Sequence, residues 1–193
     1  MRAVVKRDIG NSARLLRSLA RSSLRESRGQ SAEGVQARRV TRGWAPRPAA
    51  ALEWPVRGPI TSGFGRRWRG VHEGIDIGVP EGTPVRAAAP GTVAFAGWLD
   101  GDGNLVVIDH GAGLSSAYLH LSKILTPAGK VAAGKEIGTS GCTGYCFGAH
   151  LHFELRIGGR PIDPLPVLNA AAAVAGQRVW RSSEMASTGS YAG

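Results

Sequence analysis

From residue 52 onward, apolar and polar residues alternate in short runs that are typical of β-strands. We predict strands over residues 84–87, 91–97, 104–109, 114–120 and 150–157. Residues with turn chemistry, rich in Gly and Asp, separate these runs. Because no helical pattern lies between them, the sequence predicts an all-β domain built mainly from an antiparallel sheet.

The two ends of the chain have a different texture. Residues 1–48 carry few large apolar side chains and are predicted to be a basic extension and linker, disordered or partly helical. Within residues 13–24, one helical face is apolar enough to lie on an anionic membrane or polymer, and a solvated tail is the alternative. The sequence thus divides into the extension at 1–48, a domain at 52–168 and a short tail at 169–193, with a short helix predicted over 170–175.

The positive charge is confined to the extension. The chain of 193 residues has a formal net charge of +10, and residues 1–48 hold 12 basic and 3 acidic residues. The remaining residues, with 12 basic and 11 acidic side chains, are nearly neutral, so we expect no nucleic-acid partner for the domain. No run of about 18 apolar residues predicts a transmembrane helix, and no standard secretory signal is visible.

Histidines occupy patterned positions in the predicted strands. In the run over residues 150–157, His150, His152 and Glu154 share one face, while the intervening residues enter the core. Two imidazoles on a rigid strand suit a metal ligand beside a catalytic neighbour, although a polar surface strand has the same pattern. Near residue 74, His72 and Asp76 offer two ordinary zinc-ligand types on either side of a flexible glycine, although a surface turn has the same pattern.

Two further aromatic positions receive structural interpretations. Tyr118 and His120 are expected to share a face of their strand with Leu119 inward, and Tyr118 is expected to pack at a sheet edge. His110 ends a predicted strand, where we expect a structural role with a backbone partner.

Several sequence motifs, most of them containing the histidines described above, follow one another along the chain. They are Gly63-Phe64-Gly65-Arg66-Arg67, His72-Glu73-Gly74-Ile75-Asp76-Ile77, Val107-Ile108-Asp109-His110-Gly111, Tyr118-Leu119-His120-Leu121 and His150-Leu151-His152-Phe153-Glu154. The series resembles the lysostaphin/LytM-type zinc metallopeptidases, which cut peptides of bacterial peptidoglycan. The resemblance covers about residues 52–168.

The resemblance implies a site and a reaction. It assigns His72, Asp76 and His152 to one Zn²⁺ per domain, and places His120 and His150 beside the metal as catalytic residues. It further implies a peptide-binding groove above the sheet and hydrolysis of a stem peptide or cross-bridge by a zinc-activated water. Such an enzyme works outside the cell or in the cell envelope, and a monomer is favoured.

The chemistry of the residues is compatible with this assignment. Three protein ligands leave a fourth zinc position open, as catalytic sites require. The sequence has no His-Glu-x-x-His helix with its glutamate base, so a histidine must help to deprotonate the water or stabilise the oxyanion, which fits His120 and His150. Glu154 is expected either to orient a metal ligand or to form a surface ion pair.

Cys142 and Cys146 are the two cysteines of the chain and lie four residues apart in a Gly-rich loop. They can approach to disulfide distance, which would rigidify the loop before His150 and imply an oxidising compartment. Two free thiols, or thiolate zinc ligands, are the alternatives. Tyr145 and Phe147 add apolar surface near the expected groove, where we expect an effect on substrate preference.

Two other classes of function compete with the enzyme. A non-catalytic relative could bind cell-wall peptide or regulate another hydrolase, but it would have no chemical need for all five site residues. A biotinyl or lipoyl carrier has similar hairpins, but its modified lysine would sit in Met-Lys-Met or Asp-Lys-Ala, and neither occurs here.

Overall fold

The computed structural model describes residues 52–67 and 70–174. The basic extension, its predicted helical segment and the end of the C-terminal tail lie outside the described residues. The division of the chain at residues 48, 52 and 168 therefore stays a prediction.

The described residues form short strands and one helix. They are β1 (Ile60–Ser62), β2 (Gly65–Arg67), β3 (Gly70–His72), β4 (Ile75–Gly78), β5 (Pro84–Arg86), β6 (Gly91–Leu99), β7 (Gly103–Gly111), β8 (Leu114–Leu121), β9 (Lys123–Ile124), β10 (Lys130–Val131), β11 (Glu136–Thr139), β12 (His150–Ile157), β13 (Arg160–Ile162) and α1 (Pro164–Val174).

The main sheet has the strand order β1-β4-β12-β8-β7-β6-β10, and β13 pairs with the end of β12. Smaller sheets are formed by β5-β11-β9 and by β2-β3. The strand pairs are antiparallel. The predicted all-β, mainly antiparallel fold is confirmed, and each predicted strand overlaps an observed one. Most strands of two to four residues were not predicted, because so few residues are too short a run to show an alternation of apolar and polar side chains.

The C-terminal helix is longer than predicted. It begins at Pro164 rather than at residue 170 and therefore spans residue 168. Asp163 caps it by accepting a hydrogen bond from the backbone N–H of Leu165 at 3.0 Å. Proline is favoured at the first helical position, so Asp163-Pro164 is the sequence feature that marks the start of this helix, whereas the prediction relied on the alanine run alone. The fully buried Leu168 joins α1 to the core.

The main sheet is covered on both faces. Along β7, Val106 and Ile108 belong to the larger hydrophobic cluster, while Leu105 and Val107 belong to a smaller one. Since neighbouring residues of a strand point to opposite faces, the two clusters lie on opposite sides of the sheet. Within residues 52–67 and 70–174, no helix combines the length and the apolar character that crossing a membrane requires.

Tyr118 does not lie at a sheet edge. Its strand, β8, runs between β12 and β7 in the interior of the sheet, and its side chain is fully buried. The hydroxyl accepts a hydrogen bond from the backbone N–H of Ala88 at 2.8 Å and forms another with Ser116 Oγ at 2.9 Å. Burial raises the pKa of Tyr118 to about 12. The predicted backbone partner of His110 is confirmed, because its Nδ1 lies 2.9 Å from the carbonyl oxygen of Pro90.

We expect Tyr118→Phe to lower the free energy of unfolding by about 1–3 kcal/mol, because it leaves the buried N–H of Ala88 without its acceptor. Denaturant unfolding of the variant and the wild type measures the difference. Equal unfolding midpoints at equal slopes would show that the hydroxyl contributes nothing to stability.

Candidate metal centre

Three side chains from different strands converge at one point. His72 lies at the end of β3, Asp76 in β4 and His152 in β12. His72 Nε2 lies 3.0 Å from Asp76 Oδ1 and 3.0 Å from His152 Nδ1, and His152 Nδ1 lies 2.8 Å from Asp76 Oδ1. With zinc bonds of about 2.0–2.1 Å, neighbouring ligand atoms of a tetrahedral site lie about 3.3 Å apart. The spacing therefore approximates one face of a zinc tetrahedron.

Strand register and a tight turn produce this convergence. Antiparallel pairing sets Asp76 of β4 directly opposite His152 of β12. At Gly74 a Cβ atom would lie 2.3 Å from the carbonyl oxygen of Phe153, so only glycine lets the turn between β3 and β4 approach β12 this closely. That approach returns His72 to the position beside Asp76.

The outer ring nitrogens of both histidines face acceptors. His72 Nδ1 lies 2.7 Å from the carbonyl oxygen of Gly63, and His152 Nε2 lies 3.3 Å from Glu154 Oε1. A carbonyl or carboxylate oxygen only accepts, so these nitrogens carry the protons and donate. In neutral imidazoles the inner nitrogens then present lone pairs to each other and to Asp76, an arrangement that a cation stabilises. The donor set thus fits a bound metal ion.

The pKa values of Asp76 and His152 also agree with a site that binds a cation. Burial acts to raise the pKa of Asp76, but hydrogen bonds and charge from His152 and His72 outweigh it and hold the pKa well below its ordinary value. Burial likewise acts to lower the pKa of His152, but Asp76 and Glu154 raise it to about 9. The carboxylates therefore create a site that attracts positive charge, which either a proton on His152 Nδ1 or a metal ion in its place can supply.

His120 reaches this site through a β-bulge. Across the β8–β12 pair, Tyr118 lies opposite Phe153 and Leu119 opposite His152, so regular alternation would turn His120 away from His152. Because of the bulge, Tyr118 and His120 do not share a face of the strand as expected, whereas Leu119 is buried inside the protein as expected.

The bulge lies between the pairs Asn104–Leu121 and Val106–Tyr118 of β7 and β8, where β8 has one residue more. His120 occupies it with a φ of 61°, which is uncommon for a residue other than glycine. Bulges re-aim side chains, and this one places the His120 ring 4.9 Å from that of His150, centroid to centroid.

Backbone carbonyls orient the two histidines outside the ligand cluster. His120 Nδ1 lies 2.9 Å from the oxygen of Thr143, and His150 Nδ1 lies 2.7 Å from that of Gly148. Each neutral ring therefore donates through Nδ1 and keeps a lone pair on Nε2. His150 Nε2 lies 3.7 Å from Asp76 Oδ1. Burial, together with the neighbouring His152 and His150, lowers the pKa of His120 to about 4, although the Thr143 carbonyl acts in the opposite direction.

Both carbonyls belong to one loop, residues 141–149, which a disulfide between Cys142 and Cys146 closes. The loop is tightly docked, because the N–H of Tyr145 donates to Gly101 O at 2.7 Å. A Cβ atom on Gly144 would lie 2.3 Å from the backbone nitrogen of Gly103. The role of Thr143 as an acceptor for His120 was not predicted, since a backbone contact leaves no sequence signal.

Glu154 does not form a surface ion pair. It is 4% exposed, and its second oxygen accepts a hydrogen bond from Arg156 Nε at 2.7 Å. Burial acts to raise its pKa, but His152 and Arg156 lower it below its ordinary value. Glu154 therefore stays ionised and contacts His152 at Nε2, the ring nitrogen that faces away from His72 and Asp76.

An open groove of about 560 Å³ lies above the cluster. Arg67, which was not predicted as a site residue, lines it, and its Nη2 lies 3.9 Å from Asp76 Oδ2. Tyr145 and Phe147 form a T-shaped pair at the groove, 66% and 91% exposed. We call this pair the aromatic rim.

The fold and the site identify the class of protein. Residues 70–164 match the model of peptidase family M23. The chain also aligns with 88% of the lysostaphin catalytic domain of Staphylococcus simulans, using 55% of its own residues, at 36% identity and a TM-score of 0.52. The chain belongs to peptidase family M23, and the predicted resemblance to the lysostaphin-type enzymes is confirmed.

Relatives within the family differ in their described activities. The chain is 45% identical over 115 residues to the DD-carboxypeptidase/endopeptidase Mpg of Neisseria meningitidis. This alignment covers 56% of the present chain and 26% of Mpg. It is 39% identical over 124 residues to the murein hydrolase activator EnvC of Escherichia coli, covering 63% of this chain and 30% of EnvC. The chain thus spans about a quarter to a third of the length of these two relatives.

We expect the double substitution Cys142→Ser and Cys146→Ser to lower the free energy of unfolding by about 2 kcal/mol, the loop-closure contribution of so short a ring. Denaturant unfolding measures the change. A phosphine reductant, which breaks the disulfide, should destabilise the wild type by a similar amount and leave the double variant unchanged. Equal sensitivity of both proteins to the reductant would refute this account.

Proposed function

We propose that this protein is a zinc-dependent endopeptidase that hydrolyses peptide bonds of bacterial peptidoglycan, in a stem peptide or a cross-bridge. The observation that carries the proposal is the convergence of three donor atoms within 3.0 Å of one another on a groove lined by two further histidines. Membership of a peptidase family supports the same function.

In this proposal His72, Asp76 and His152 hold one zinc ion. Two imidazole nitrogens and one carboxylate oxygen are an ordinary catalytic ligand set, which leaves room for water or substrate. When bound, zinc would lower the pKa of a water molecule to about 7 and polarise the scissile carbonyl. Glu154 accepts a hydrogen bond from His152 Nε2 and thereby directs the Nδ1 lone pair toward the metal position.

His120 and His150 are proposed to supply the proton chemistry. Each has Nδ1 tied to a carbonyl, so Nε2 of the neutral ring can accept a proton from the attacking water and then donate it to the leaving amine. Once protonated, the same Nε2 can stabilise the negative oxygen of the tetrahedral intermediate. The low pKa of His120 keeps it neutral at physiological pH, as a base must be.

The groove is proposed to receive an extended peptide. The exposed aromatic rim provides an apolar surface in the groove at which the substrate can be recognised. Since the substrate lies in the cell wall, we propose that the protein works in the cell envelope or outside the cell. A disulfide in the groove loop is in keeping with such an oxidising location.

A non-catalytic role is the second candidate, because EnvC, a relative of this chain, is named as an activator of murein hydrolases. Retention of both proton-accepting histidines beside the ligand triad favours the enzyme, since a regulator has no chemical need for them. Incubation of the zinc-loaded protein with purified peptidoglycan, followed by analysis of released fragments, tests the choice. Peptide-bond cleavage supports the enzyme, and binding without cleavage supports the regulator.

We expect His72→Ala, Asp76→Ala and His152→Ala each to abolish stoichiometric zinc binding, because each removes one of three protein ligands. Metal analysis of the purified, folded variants measures the zinc content. His110→Ala is the matched control: this histidine bonds a backbone carbonyl outside the cluster and should leave the zinc content unchanged. One zinc ion retained in all three ligand variants would refute the ligand assignment.

We expect His120→Ala and His150→Ala to retain zinc but to cleave peptide at least about 10²-fold more slowly, the scale of a lost acid/base or oxyanion-stabilising group. Zinc content and cleavage rate should be measured on the same samples. Wild-type rates in both variants would end the catalytic interpretation of these residues.

A further inference from the structure

Arg156 is the largest of the fully buried side chains in the described residues, with 1% of its surface exposed. Transfer of a guanidinium from water into a protein interior is costly unless carboxylates and hydrogen bonds compensate for it. The partners of Arg156 therefore indicate what its charge does.

The guanidinium joins two carboxylates from different parts of the chain. Its Nε donates to Glu154 Oε2 at 2.7 Å, and its Nη2 donates to Glu73 Oε2 at 2.5 Å. Its Nη1 donates to the carbonyl oxygen of Gly159 at 3.2 Å. All three nitrogens thus have partners, and the planar fork of arginine is suited to hold two carboxylates at fixed angles.

Both carboxylates lead directly to the ligand cluster. Glu154 contacts His152 Nε2 at 3.3 Å on the side away from the inner nitrogen. Glu73 follows His72 in the turn that continues to Asp76, and the close approach of Gly74 presses this turn against β12. The network of Glu73, Arg156 and Glu154 therefore links the two chain segments that carry the three ligands.

We propose that Arg156 and Glu73 are positioning residues for zinc: Arg156 fixes Glu154 against His152 and ties β12 to the turn carrying His72 and Asp76. The proposal rests on the proposed function in taking these three side chains as the zinc ligands. The network holds the ligands at binding distance before the metal arrives, so less ordering remains to be done on binding. Loss of one connection should weaken zinc binding although every ligand is still present.

The test measures the zinc dissociation constant of the full chain by competition with a chromophoric chelator. Glu73→Gln removes one charge from a side chain that is 30% exposed, so the variant should fold. Arg156→Lys keeps the positive charge but cannot bridge two carboxylates in the same geometry. We expect both variants to bind zinc about tenfold more weakly or worse, the lower end of the effect of removing partners of metal ligands.

Two control variants separate positioning from other effects. Glu136→Gln removes one negative charge from β11, in the separate three-stranded sheet. Leu168→Ala creates a cavity between α1 and the hydrophobic cluster and should lower stability by about 2–5 kcal/mol. Both controls should bind zinc as the wild type does, and thermal unfolding should identify a temperature at which every variant is folded.

Wild-type zinc affinity in both Glu73→Gln and Arg156→Lys would overturn the proposal. An equal loss of affinity in Leu168→Ala would overturn it as well, because the effect would then follow stability alone. A wild-type chain that binds zinc but leaves peptidoglycan uncut contradicts the proposed enzyme and leaves the positioning role standing. A wild-type chain without zinc affinity contradicts both.

Discussion

Strand β12 has both faces buried, and its polar face therefore has to be satisfied inside the protein. Leu151, Phe153 and Leu155 are fully buried on one face, while His152, Glu154 and Arg156 on the other are at most 8% exposed. Buried polar groups are costly unless hydrogen-bonded, so their partners are specified as strictly as core packing is. Because these three residues alternate along one face of the strand, each contacts the next. The guanidinium of Arg156 binds the carboxylate of Glu154, and that carboxylate binds the imidazole of His152.

The neighbouring strands adapt to this arrangement on both sides. On one side, β4 brings Asp76 opposite His152 by ordinary antiparallel register. On the other, regular pairing of β8 would direct His120 to the wrong face, and the bulge with its left-handed backbone at His120 corrects the direction. Residues in such backbone conformations cost about 1–3 kcal/mol and persist where the surrounding structure holds them. Here the hydrogen bonds of the His120 N–H to Asp102 O and of its ring to Thr143 O hold the bulge in place.

The loop of residues 141–149 orients two histidines of the site and also borders the groove that leads to it. Its Thr143 and Gly148 carbonyls determine the proton positions of His120 and His150, and its aromatic rim borders the groove. The disulfide limits the conformations of this loop, so changes in the rim are coupled to the geometry of the proposed catalytic histidines. The relatives of this chain are named as peptidases and as an activator of murein hydrolases, and surface loops are where related proteins differ most.

The sequence by itself determined the fold class, the longer strands and the alternation that sets His150, His152 and Glu154 apart from the core, because these depend on local periodicity. The ordered motifs around the histidines also identified its family. Only the tertiary structure decided which side chains meet. The bulge at His120, the interior position of Tyr118 and the link from Arg156 to Glu73 depend on register and on contacts between residues that are distant along the chain. Periodicity carries no information about such contacts, since the same alternation is compatible with several registers and neighbours.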